Sequence, residues 1–289
     1  MITSRDNPRI KKIKKLLKKS KYRTEEGCFV IEGFKAVEEA LESDRLREVY
    51  IKHSLVRGMD TFRADPDGVR RILREKPGSR SGSDHEWSEA LSFFVEIVDD
   101  RVFDELSDTV TPQGMIGIAD IISYDTDTLF EKDDCRVLCL EDVRDPGNIG
   151  TMIRTAEAAG MSAVLLSDKC ADVYQPKTVR STMGSIFRVP CISCEGDFTA
   201  GLNRLKEKGF TLYAACLSGA SDYLEPDYEG RTGILIGNEA NGLSDEAIRI
   251  SQVHVKIPMA GKVESLNAAV SAALVMYAAV QKSMDVWEN

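Results

Sequence analysis

No apolar run in this chain reaches the roughly 18 residues that a membrane span needs. The N-terminus is charged from Arg5 onward and carries no apolar leader core. These two absences predict a cytoplasmic protein with no membrane partner. A G-x-x-x-x-G-K-[ST] loop is also missing, which removes support for P-loop phosphoryl transfer. No G-x-G-x-x-G follows a strand, which speaks against a Rossmann dehydrogenase and against the usual glycine-rich cofactor loop. A second metal-ligand pair is lacking too. Of the seven cysteines, only Cys191 and Cys194 form a C-x-x-C, and nothing nearby completes a zinc set. An odd cysteine number in a long chain argues against a disulfide framework. Reduced thiols in strands and no metal are the expectation.

What is present fits a globular protein of two domains: 289 residues, 43% hydrophobic and 29% charged. The net charge of −9 is unevenly spread. Residues 1–24 hold ten basic residues and the single acid Asp6, a net +9, so the remaining 265 residues sum to −18. A basic arm on an acidic body is the asymmetry of a protein with one face toward a polyanion. The competing reading is a solvated charged helix.

Along the chain, Ile10, Ile13, Leu16 and Leu17 fall at helical spacing, with Pro8 in the first turn and Asn7 as a cap. A strand is predicted at 28–31, a helix at 34–41 and a strand at 47–51. The stretch 53–89 gives little signal, and Lys76 to Asp84 reads as a loop by composition. A strand at 93–98, a short helix at 102–106 and an apolar run at 115–122 follow. The acidic stretch 123–134 is taken as a linker between a first domain at 1–122 and a second at 135–289. In that second half, strands are predicted at 136–140, 163–166, 211–215, 233–236 and 253–257. Helices are predicted at 149–159, 197–208, 245–250 and 266–283. Such alternation specifies a parallel sheet with helices on both faces.

Three polar segments punctuate the second half. Glu141-Asp-Val-Arg-Asp-Pro-Gly-Asn148 follows a buried strand, where open sheets bind ligands, and Arg154 comes six residues after Asn148. The plain alternative has Asn148 as a helix cap and Arg154 on a solvated face. Gly237-Asn-Glu-Ala-Asn-Gly242 follows a second apolar strand; its glycines allow close approach to backbone, though an ordinary polar turn has the same composition. Ile257-Pro-Met-Ala-Gly-Lys-Val-Glu-Ser265-Leu-Asn267 leads into an alanine-rich helix, with Ser265 as the expected N-cap and close packing in the core or at a dimer surface as the use of the alanines.

In joint order, these segments resemble the three signature motifs of the SpoU/TrmH branch of the SPOUT RNA methyltransferases, over about residues 136–283. They match as Asn148-Ile-Gly-Thr-Met-Ile-Arg154, as Ile236-Gly-Asn-Glu239-Ala-Asn-Gly242-Leu, and as Ile257-Pro-Met with Ser265-Leu-Asn267-Ala-Ala-Val. Lys177 to Pro190 also looks like a family segment. The N-terminal part is similar, more loosely, to the family's ribosomal-protein-like substrate-binding module, through Asn7 to Lys11, Phe29 to Gly33 and Leu106 to Gly114.

The resemblance implies an α/β protein: a C-terminal parallel-sheet SPOUT domain with a deep trefoil knot, preceded by a smaller α/β substrate-binding domain. It implies a methyl transfer from S-adenosylmethionine to a ribose 2′-hydroxyl of structured RNA, with ribosomal RNA favoured over transfer RNA. A homodimer is implied as well. Carried over by motif, the catalytic set is Asn148, Arg154, Glu239, Ser265 and Asn267. The cofactor set is Leu217, Gly237, Ile257, Met259 and Leu266. A guanidinium stays protonated in almost every setting, so Arg154 is expected to bind the phosphate beside the target ribose and orient the hydroxyl rather than act as a free base. Arg9, Lys11, Lys12, Lys15 and Arg180 are expected to contact RNA. The rival readings are a catalytically silent RNA-binding assembly factor of the same fold, and a small-molecule enzyme with a nucleotide cofactor.

Overall fold

The computed structural model describes residues 1–59, 62–75, 92–107, 109, 111–194, 196–217 and 219–281. The predicted loop from Lys76 to Asp84 lies outside them, as do the last two residues of the helix predicted to reach 283. Two compact units result: Met1–Ile122 with Tyr174–Phe187, and Ser123–Val173 with Arg188–Asn289.

The first unit runs α1 (Pro8–Lys18), α2 (Ser20–Glu26), β1 (Cys28–Glu32), α3 (Phe34–Glu42), β2 (Leu46–Lys52), α4 (His53–Val56), α5 (Pro66–Glu75), β3 (Phe94–Val98), α6 (Asp100–Asp104) and β4 (Met115–Asp120). Asn7 caps α1 by accepting from Arg9 N, with Pro8 in the first turn. Its apolar stripe Ile10, Ile13 and Leu16 is fully buried with Val30, Tyr50 and Ile118. The sheet order is β1-β4-β2-β3; β4 is antiparallel to β1 and β2, while β2 and β3 run parallel.

The second unit begins in the stretch read as a linker. That stretch is folded: α7 (Thr126–Leu129) is capped by Asp125, and Phe130, 3% exposed, packs edge-on against Phe210 in the core. There follow β5 (Arg136–Leu140), α8 (Pro146–Ala158), β6 (Ala163–Leu166), α9 (Pro176–Thr182), β7 (Cys191–Ser193), α10 (Phe198–Glu207), β8 (Thr211–Ala215), β9 (Ser221–Asp222), β10 (Thr232–Ile236), α11 (Asp245–Ile250), β11 (Val253–Lys256) and α12 (Ala268–Gln281). Seven strands pair in the order β7-β6-β5-β10-β8-β11-β9, every neighbour parallel. Val137, Cys139, Leu165, Leu212 and Leu235 share one core with Leu202 and Leu205 of α10 and Ala247 of α11. The alternate residues Leu138, Leu140, Val164, Ile234 and Ile236 point to the other face and are also buried, where α8 and α12 pack together. Strands buried on both faces explain the near-continuous apolar runs in the sequence.

Helix α9 is placed differently from its neighbours in sequence. It belongs with the first unit, where Phe29 of β1 stacks between Tyr174 and Phe187 at ring-centroid distances of 4.8 and 5.8 Å. Its buried residues are Thr178, Val179 and Thr182, two of them threonines, so no apolar stripe announced the helix. Helix α5 did carry a stripe, Val69, Ile72 and Leu73, all 0 or 1% exposed. Pro66, Gly68 and a run of charges hid it. Strands β7 and β9, of three and two residues, are too short to show a period.

Candidate active site

The carboxyl ends of β8, β10 and β11 open into a cleft of about 460 Å³, walled by 215–217, 236–243 and 255–257, and by Met259, 264–266 and the first turns of α12. Each wall has a local cause. The residues of β10 are all buried, and Gly237 then ends the strand. A Cβ on Gly237 would overlap the backbone of Gly242 and Leu243, so only glycine lets the loop close on itself. Asn238 and Gly242 exchange backbone hydrogen bonds at 3.1 and 2.9 Å, and Gly242 takes the left-handed conformation at φ +70°. Asn238 Oδ1 accepts from Ala240 N and Asn241 N, an Asx turn.

The loop after β5 braces this wall. Asn238 Nδ2 donates to the Asp142 carbonyl at 2.8 Å, and the Glu141 carboxylate accepts from Ser244 N and Oγ at 2.8 and 2.7 Å. Asp142 itself sits at φ +54°, a strained position for a non-glycine residue. It is held by Ser167 Oγ, which accepts from its backbone N–H, and by a bidentate pair with Arg144 at 2.8 and 3.0 Å. Asn148 Nδ2 donates to Glu239 Oε1 at 2.8 Å, and Asn267 Nδ2 donates to Asn148 Oδ1 at 3.1 Å.

The five residues expected at a cofactor all line the cleft: Leu217, Gly237, Ile257, Met259 and Leu266. Ser265 and Glu239 line it as well, and Asn148 and Asn267 join Glu239 by hydrogen bonds. The capping expectation at Ser265 and the alternative that had Asn148 as a cap are both corrected. Asn267 rather than Ser265 caps α12, accepting from Ala269 N and Val270 N, because the helix starts at Ala268. Asp145 rather than Asn148 caps α8, because Pro146 opens the helix earlier than the apolar pattern does. Arg154 stays apart from the cleft. It is exposed on α8, and its side chain makes no hydrogen bond or ion pair with another described residue. Sequence reasoning missed Glu141, Asp142 and Asn238 as braces. All three stood inside quoted motifs, but their partners lie about a hundred residues away.

The cations expected to meet RNA have partners within the first unit. Arg9 lies 3.5 Å over the Phe94 ring, and Lys15 is 5.3 Å over Tyr22. Lys11 pairs with Asp6 at 2.9 Å, Lys12 with Glu48 at 2.8 Å and Arg180 with Glu32 at 3.9 Å. Lys18 and Lys19 make no ion pair with a described residue. The C-x-x-C thiols are held neutral: burial pushes Cys191 up to about 12 and, ahead of nearby negative groups, pushes Cys194 up to about 11. No helix among the described residues is long and apolar enough to cross a membrane.

The cleft suits S-adenosylmethionine on chemical grounds. Its walls are largely apolar and its size is that of a small-molecule site. The Ile257 and Leu266 N–H groups have no partner among the described residues and can serve a polar ring edge. No glycine-rich phosphate cradle is needed, since this cofactor has no phosphate.

The parallel α/β sheet and its cleft are compatible with an S-adenosylmethionine-dependent RNA methyltransferase, and comparison with known proteins puts the chain in that class. Residues 136–277 match the model of the SpoU rRNA Methylase family, and residues 7–117 match that of the MRM3-like substrate binding domain. The chain is 32% identical over 276 residues to the 23S rRNA (guanosine(2553)-2′-O)-methyltransferase RlmP of Bacillus subtilis, covering 96% of this chain and 97% of the relative. It is 33% identical over 175 residues to the 23S rRNA (uridine(2479)-2′-O)-methyltransferase of Streptomyces viridochromogenes, covering 59% of this chain and 61% of that one. Among solved structures, the AdoMet-bound rRNA methyltransferase from Sinorhizobium meliloti superposes with a TM-score of 0.80 at 28% identity, covering 98% of each chain. The chain belongs to the SpoU rRNA methylase family.

Proposed function

We propose that this protein transfers a methyl group from S-adenosylmethionine to a ribose 2′-hydroxyl of ribosomal RNA. The observation that carries the reading is the meeting of three distant segments at one cleft: Gly237, Ile257 and Leu266 line it, and the Asn148–Glu239–Asn267 cluster lies at its edge. Ribosomal RNA is favoured because the relatives just named are ribosomal RNA methyltransferases.

The cofactor supplies an electrophilic methyl group on a sulfonium. The protein's own part is positioning. Ile257 and Leu266 hold the cofactor through backbone groups, and Leu217 and Met259 cover it. Arg154 would bind the phosphate beside the target ribose and orient the hydroxyl; as its oxygen bonds to the methyl carbon the methyl–sulfur bond breaks to leave a neutral thioether, and the hydroxyl proton passes to that phosphate. Its open guanidinium suits a bidentate phosphate contact. Lys18 and Lys19, which make no ion pair with a described residue, carry the phosphate contacts of the basic arm; the expected Arg9, Lys11, Lys12, Lys15 and Arg180 are engaged with partners of their own.

Two further features belong to this reading. The chain forms a homodimer, in keeping with the exposed apolar residues Val270 and Tyr277 on α12, with the partly exposed Leu274 between them. The loops around β10, β11 and α12 thread as a trefoil knot, in keeping with β10 lying between β5 and β8 in the sheet. A cytoplasmic location belongs to the same reading, supported by the bacterial relatives that modify ribosomal RNA.

The test is incubation with radiolabelled S-adenosylmethionine on unmodified ribosomal and transfer RNA pools, with mapping of the labelled ribose. Label on a 2′-oxygen of ribosomal RNA is the expected result. Label only in transfer RNA would move the substrate class. Cofactor binding without label in either pool would favour a silent RNA-binding assembly factor.

A further inference from the structure

The three polar side chains at the cleft edge have a direction that hydrogen-bond chemistry fixes without ambiguity. The backbone N–H groups of Ala269 and Val270 can only donate, and both point at one atom of the Asn267 side chain, at 2.9 and 3.3 Å. That atom is therefore the carbonyl oxygen Oδ1, and the Asn267 amide nitrogen faces Asn148 at 3.1 Å. Asn148 must present its oxygen there, which turns its own nitrogen toward Glu239 Oε1 at 2.8 Å. The far end is fixed as well, since an ionised carboxylate can only accept. Both ends agree, so the two amides between them have a single orientation.

We propose that Asn267 and Asn148 are positioning residues that form a one-way relay from the first turn of α12 to Glu239, and that the relay holds the 237–243 wall of the cofactor cleft. The inference rests on the cofactor reading of that cleft. Glu239 ties that wall to α8 through its side chain, and the first turns of α12 line the same cleft. The N-terminal amides of α12 polarise Asn267, which strengthens its donation to Asn148, and Asn148 in turn strengthens its donation to Glu239. One oxygen of Glu239 is thereby occupied, and Oε2 is left to accept from a ligand donor at the edge of the cleft. A simple packing role would need three polar side chains of the right size. The relay needs them to have the right polarity.

Polarity can be reversed without changing size. In Asn267→Asp, one carboxylate oxygen still caps α12. The other meets Asn148, which must turn over to donate to it, and the Asn148 oxygen then faces the Glu239 carboxylate. Adding Glu239→Gln supplies a donor at that point and lets the relay run backward, from residue 239 through Asn148 to residue 267. Glu239→Gln alone keeps an oxygen for Asn148 to donate to but turns an amide nitrogen toward the ligand, so only the double variant restores both contacts. Calorimetric titration of each full-length protein with S-adenosylmethionine reads the outcome. The expected result is about tenfold weaker binding for Asn267→Asp, with recovery to within about threefold of wild type in the double variant. Hydrogen exchange of the 237–243 amides, measured without ligand, should speed up in Asn267→Asp and slow again in the double variant. Wild-type binding in Asn267→Asp, or a double variant no better than that single one, would overturn the relay. Failure of the wild-type protein to bind the cofactor would instead overturn the proposed function, and the exchange rates would still decide the relay.

Discussion

Lys12 and Arg154 carry the same charge in opposite surroundings. Lys12, on α1 of the first unit, donates to Glu48 at 2.8 Å, and the two side chains are 27% and 17% exposed. Arg154, on α8 of the second unit, is exposed and makes no ion pair with a described residue. Much of the basic arm follows Lys12. Arg5 and Lys14 share Glu105, Lys11 takes Asp6, and the Arg23 guanidinium is buried against the Leu16 carbonyl. A charge count made along the chain treats these cations as equal. The first unit uses most of its α1 cations to fasten the helix down, whereas the second leaves its motif arginine open. Attraction for a polyanion depends on the cations left unpaired at short range, and those are few.

The strongest test of the contrast is Arg154→Ala. Turnover, as kcat/KM on ribosomal RNA, should fall about 10³-fold, roughly 4 kcal/mol of transition-state stabilisation, while calorimetric cofactor affinity and thermal stability stay near wild type. Arg154→Lys should rescue little, because a point charge does not replace a planar fork. A turnover within tenfold of wild type would remove Arg154 from the mechanism.

The first unit also depends on a segment distant in sequence. Phe29 is 1% exposed between Tyr174 and Phe187, so Phe29→Ala should cost about 3 kcal/mol in urea denaturation. A loss below about 1 kcal/mol would mean that residues 174–187 do not complete this core.

Lys12→Ala should destabilise by about 1–2 kcal/mol, because it strands a half-buried carboxylate. Burial pushes Glu48 up, but hydrogen bonds from Lys12 and Tyr50, together with the Lys12 charge, outweigh it, and the net pKa is lowered. A lowered carboxyl pKa stabilises the fold above the ordinary glutamate value of about 4.3, and that stability is lost as pH falls through the folded value. Denaturation midpoints measured from pH 7 down to 3 should therefore fall less steeply in Lys12→Ala than in wild type, the gap between the two narrowing as Glu48 is protonated. Parallel curves would refute the pairing. The smallest effect concerns RNA. Removing Lys18 and Lys19 together should reduce the slope of log affinity against log salt by about 2 and weaken binding uniformly across sequences. An equal slope change from Lys12→Ala would erase the distinction between paired and open cations.

Much of the fold was legible from the sequence. Strands β5, β6 and β8 and helix α11 have the bounds that apolar periodicity and turn residues predicted. Each buries its apolar residues in a pattern that local spacing alone imposes. The cofactor cleft was legible only through the resemblance, since each of its segments also reads as an ordinary polar turn. The braces Asn238 and Glu141 were not legible at all. Their identity as acceptors or donors is local, but their partners Asp142 and Ser244 are set by the order of strands in the sheet.

By itself, then, the sequence determined the alternation of strands and helices, the parallel sheet that follows from it, and the supply of amides, carboxylates and one arginine at loop positions. Periodicity is local, and burial of a face follows from it. The tertiary structure decided which helix end Asn267 caps, which way its amide points, that α9 joins the first unit, and which cations remain open. Those outcomes turn on pairs such as Lys12 with Glu48, 36 residues apart, and Asn148 with Asn267, 119 apart. A hydrogen bond acts over about 3 Å, and only the folded chain brings such pairs within that reach.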